Sequence, residues 1–77
     1  MDRDEAIRKL MDIELRYRWV ARWLREIHLL LIDGRIREAC MRLGELRRRV
    51  YGRVLMGSTE WYRCYVELEE LERGLCG

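Results

Sequence analysis

Proline and phenylalanine are absent from this 77-residue chain, histidine occurs once, and cysteine occurs three times. With no proline, only glycine can interrupt a helical run. Of the six glycines, Gly34 and Gly57 fall where helix ends are expected, at Asp33-Gly34 and Gly57-Ser58, Gly74 and Gly77 lie near the C-terminus, and Gly44 and Gly52 lie within a helical stripe. A single histidine cannot supply the inward Glu and Glu-x-x-His pairs of a bundle metal site. Phosphate-cradling glycine loops are missing, and no two carboxylates share an apolar face as acid and base. No catalytic residue, metal site, cofactor or small-molecule substrate is therefore expected.

Cys40, Cys64 and Cys76 are too few and too widely spaced for a secreted disulfide framework or a zinc knuckle. The expectation is a cytoplasmic protein with reduced thiols. The one bridge that the pattern allows to be weighed is Cys40 to Cys64, since both fall on apolar faces of different segments. The N-terminal Asp2-Arg3-Asp4-Glu5 is unlike a secretory leader. The longest apolar run, residues 27–32, falls far short of the roughly 20 residues of a membrane span, so no membrane partner is expected.

What is present is sharply two-faced, 49% hydrophobic against 39% charged, which is the composition of a folding chain and not of a disordered one. Ala6, Leu10, Ile13, Tyr17, Val20, Leu24, Ile27 and Leu31 follow one another at alternating steps of four and three. That spacing places them on one stripe of a helix. With Asp2 as N-cap and Gly34 as terminator, the pattern predicts one helix over 3–32, about 45 Å long. Ile36, Ala39, Leu43, Leu46 and Val50 predict a second over 35–54. Trp61, Cys64, Leu68, Leu71 and Leu75 predict a third over 59–73, capped by Ser58 or Thr59 and ended near Gly74. The expected fold is all-α, a single domain over 1–77, built as an antiparallel three-helix bundle.

The first helix would outrun its two companions, leaving Ile7, Leu10 and Met11 short of cover. It also carries Leu15, Trp19, Trp23 and Leu30 on a nearly opposite face, and a helix with two apolar stripes is buried on both sides. These seven residues form the expected protein interface, and 77 residues is near the size at which self-association commonly supplements a small core. The expected role is that of a non-enzymatic assembly module, partnered by itself or by another helical protein.

The alternative rests on charge. Residues 35–57 hold seven basic and two acidic side chains, all seven of them arginine. Arg42, Arg47, Arg48, Arg49 and Arg53 would neutralise phosphates in a nucleic-acid-binding reading, or pair with the glutamates of the third helix in a structural one. Arg22, six positions before His28, resembles the short signature of HEPN-type ribonucleases, and the hairpin around Asp33-Gly34-Arg35 resembles those domains and tetratricopeptide hairpins. In a chain with fifteen arginines such a pair arises at roughly even odds. His28 is accordingly read as structural, placed in the C-terminal half of a helix where the dipole favours it.

Overall fold

The computed structural model describes all 77 residues, and every regular element in it is helical. Helix α1 spans Arg3–Arg16, α2 spans Ala21–Ile32, α3 spans Ile36–Val54 and α4 spans Thr59–Cys76, with a single 3₁₀ turn over Arg18–Val20 between the first two. There are thus four helices where the sequence pattern predicted three. The long first helix is broken at Tyr17, whose φ of −121° and ψ of 77° leave the helical region.

The break turns the chain back on itself. Arg25 Nε lies 3.0 Å from Glu14 Oε1, whereas eleven residues of straight helix would separate the two positions by about 16 Å. No glycine or proline causes the reversal. Its driving force is burial: Ala6, Leu10 and Ile13 of α1 and Val20, Leu24, Ile27 and Leu31 beyond the turn are all at most 1% exposed. Burying one leucine and one isoleucine is worth about 1.5–3 kcal/mol each. That outweighs the one or two helical hydrogen bonds lost at an exposed turn, each worth about 1 kcal/mol net. Tyr17-Arg18-Trp19-Val20 also resists helix weakly, since bulky and β-branched side chains lose rotamer freedom there.

The remaining turns follow the sequence. Gly34 and Gly57 have φ of 75° and 91°, the left-handed conformation that ends a helix without steric cost when no Cβ is present. Asp2 accepts from the Glu5 backbone N–H at 2.8 Å, and Ser58 accepts from that of Trp61, each satisfying a donor at a helix start. Helix α4 does not stop at Gly74 as predicted but runs through it to Cys76.

Successive helices run antiparallel, and α4 closes the ring against α1 through Lys9–Glu70 and Arg16–Glu67 pairs. The result is an up-down-up-down bundle measuring 36 × 21 × 19 Å. Its core holds the α1–α2 seam with Ala39, Leu43, Leu46, Val50, Cys64, Leu68 and Leu71. Gly44 of α3 is buried facing α4, where an added Cβ would stand 3.2 Å from Glu72 Oε2.

Candidate functional site

The seven residues expected to form one interface are dispersed by the reversal at Tyr17. Leu10 is fully buried and belongs to the core. Ile7 and Leu30 are half-buried and pack against its edge. Met11 and Leu15 remain exposed beside Glu14, Arg25 and His28 on the outer face of the α1–α2 hairpin. Trp19 and Trp23, each 38% exposed, lie elsewhere, on the side where α2 meets α3 and the start of α4.

At that place the three tryptophans of the chain converge. The Trp19 ring is 5.5 Å from that of Trp61, and Trp61 and Trp23 line one open groove of about 380 Å³ with Val20, Leu46, Val50, Arg49 and Arg53. The floor is apolar because Val20, Leu46 and Val50 are core residues seen from outside. Arg53 stacks over Trp61 at 5.8 Å, a favourable cation–π placement. Toward the far end of α3 the groove continues past Ile27 to Glu26, Glu45 and Arg42, so charge alternates there. At the tryptophan end it does not: arginine is the only charged residue type in the lining.

Arg42, Leu46, Arg49 and Arg53 sit at steps of four, three and four on α3, which puts them on the one stripe that borders the groove. Arg47 points the other way. It pairs with Glu72 of α4, and that hydrogen bond raises its pKa. Glu67, Glu69 and Glu70 of α4 pair with Arg16, Arg73 and Lys9 and Glu60 pairs with nothing, while Arg42, Arg48, Arg49 and Arg53 are without an ion pair in the chain. The Glu67 carboxylate serves as a local hub. Its hydrogen bonding raises the pKa of both Arg16 and the Tyr17 phenol, tying the turn between α1 and α2 to α4.

Tyr17 and Trp19 stack edge to face at 5.6 Å, so that turn is also held by the aromatic cluster. The convergence of Trp61 on Trp19 carried no sequence signal, because it depends on which helices become neighbours.

The cysteines pair differently from the weighed arrangement. Cys40 and Cys76 form a disulfide with Cα atoms 5.9 Å apart, and Cys64 is a free, fully buried core residue. Burial, reinforced by the Glu67 charge, pushes the Cys64 thiol up to about 12 from an ordinary 9.0. The folded state therefore keeps a proton that the unfolded state releases. This stabilisation is complete below pH 9 and is lost as pH rises toward 12, at about 1.4 kcal/mol per pH unit within that window. Urea midpoints should fall steeply above pH 9 in the parent protein and more gently in Cys64→Ala. Equal slopes would contradict the burial of an ionisable thiol there.

His28 is half-buried at the edge of the α1–α2 hairpin beside Met11, Glu14, Leu15 and Arg25. No three metal-ligating side chains gather anywhere in the bundle, and no helix is long and apolar enough to cross a membrane. No protein-family model, characterised protein or solved structure matches the chain. Its own geometry defines its class: a small antiparallel four-helix bundle with a tryptophan- and arginine-lined groove at the junction of three helices.

Proposed function

We propose that this protein is a small, non-enzymatic helical module that assembles with itself or with another helical protein, through the apolar surface of its first 32 residues. The observation that carries this reading is the exposure of Trp19 and Trp23 around a groove, in a bundle whose core is already complete without them. Clustered exposed tryptophans beside arginine are the composition of binding hot spots. Met11 and Leu15 add a second exposed apolar face on the hairpin.

Sedimentation over a range up to high micromolar concentration tests the self-association arm. Trp23→Ala or Leu15→Glu should weaken association at least about tenfold. A parent protein that stays a lone chain throughout, and gains no partner, would refute the reading.

A second reading, nucleic-acid binding, is favoured by one observation: Arg42, Arg48, Arg49 and Arg53 are left without ion pairs. Under it, generic DNA or RNA would bind with strongly salt-dependent affinity, and charge reversal at these positions would abolish binding. Affinity indifferent to salt would exclude it.

A further inference from the structure

We infer that the tryptophan end of the groove takes an acidic amphipathic helix of a protein partner, apolar side chains entering between Trp23 and Trp61 and carboxylates meeting Arg49 and Arg53. The inference rests on the interaction-module reading above and names the partner's chemistry.

Three features of the site define the occupant. The floor, made by Val20, Leu46 and Val50, offers no hydrogen-bonding side chain, so what enters must be apolar; a nucleobase would leave its polar edges unpaired there. Arg49 and Arg53 are one helical turn apart, with Cβ atoms about 6 Å from each other. Carboxylates one turn apart on a second helix match that spacing, and each arginine can grip a carboxylate with two donors. Finally, no carboxylate of this chain reaches either guanidinium, although glutamates elsewhere are largely engaged in ion pairs. The groove is open to solvent at the tryptophan end, which suits a helix lying there with anchors at three-four spacing. Further along, Glu26 and Glu45 share the lining with Arg42 and Arg49, so the positive charge free of carboxylates is centred on Arg53 at the tryptophan end, and this asymmetry sets the orientation in which an acidic helix lies.

The test is a titration with designed amphipathic peptides of about 15 residues, leucines on one face and, along one flank, glutamates a turn apart in one version and lysines in the other. Trp23 and Trp61 line the site and Trp19 stacks on Trp61, so indole fluorescence reports occupancy directly. The glutamate peptide should bind with a blue shift, the lysine peptide at least about tenfold more weakly, and Arg49→Glu with Arg53→Glu should invert that preference. Arg48→Glu, outside the groove, should change nothing. Should the reversed variant fail to fold, Arg49→Gln with Arg53→Gln should still erase the preference.

Equal binding of both peptides, lost in Trp23→Ala, would overturn the acidic partner while leaving the interaction module standing. Binding of an oligothymidylate in place of either peptide would overturn both. A groove filled by a second copy would show as a dimer that excludes the peptide, which overturns the acidic partner and keeps self-assembly.

Discussion

Leu10→Ala should cost this small bundle about 3 kcal/mol, within the 2–5 kcal/mol usual for emptying a fully buried leucine site. Against a total stability of about 5–15 kcal/mol for a domain, that is a large fraction, and a urea melt would show it as a lower midpoint with little change in slope. The expectation follows from the reversal at Tyr17, which carries α1 back along α2 and α4 and leaves Leu10 with no exposed surface. A straight helix over the same residues predicts the opposite pattern, since Leu10 would then lie beyond the reach of the other helices. Its truncation would loosen association and spare the stability of the single chain.

Reduction of the Cys40–Cys76 disulfide should be the second large perturbation. The bridge joins the first turns of α3 to the last residue of α4 across a sequence separation of 36. Closing a loop of that length restricts the unfolded chain by roughly 3–4 kcal/mol, which for a domain of this size corresponds to a fall in Tm on the order of 15–25 °C. Native contacts between the two helices persist on reduction, among them the Arg47–Glu72 pair and the close approach at Gly44. The reduced protein should therefore still fold at room temperature. Calorimetry with and without reductant measures the difference, and Cys76→Ser should match the reduced parent and ignore reductant. A Cys76→Ser protein that remains reductant-sensitive would point to a Cys40–Cys64 bridge instead.

Much of the core was legible before any coordinates, because a seam with steps of three and four names the same residues whether its helix is whole or broken. Seven of the eight seam residues between Ala6 and Leu31 are buried, and only Tyr17, at the turn, is half-exposed. The stops at Gly34 and Gly57 were equally visible, since a left-handed residue leaves a mark in the sequence. The break at Tyr17 left almost none. It contains neither glycine nor proline, and the local preferences of Tyr, Trp and Val amount to tenths of a kcal/mol each. What decides it is the burial of Leu10 and Ile13 against elements distant in sequence, a term that no local window contains.

The same distinction governs the groove. Trp19 and Trp23 share a stripe with Glu26 and Leu30 by spacing alone, and in the folded chain both tryptophans keep 38% of their surface exposed. The excess length of the first helix, offered as the reason for an interface at Ile7 and Leu10, disappears once that helix folds back. Trp61 joins the pair only because α4 begins beside the turn between α1 and α2. The split among the arginines was more accessible than it looked: Arg42, Arg49 and Arg53 share a face at steps of seven and four, and Arg47 falls toward α4, where Glu72 meets it.

The mass of the native particle, taken together with its ultraviolet absorbance ratio, tests most directly whether this bundle is a protein-docking module. For the protein taken from its own cells, the predicted result is a particle heavier than one 9.5 kDa chain, the added mass being a bound helical protein or a second copy, with the absorbance of protein alone and a return to a single chain on Trp23→Ala. A lone chain at every concentration, or a particle with the absorbance of nucleic acid, would contradict it.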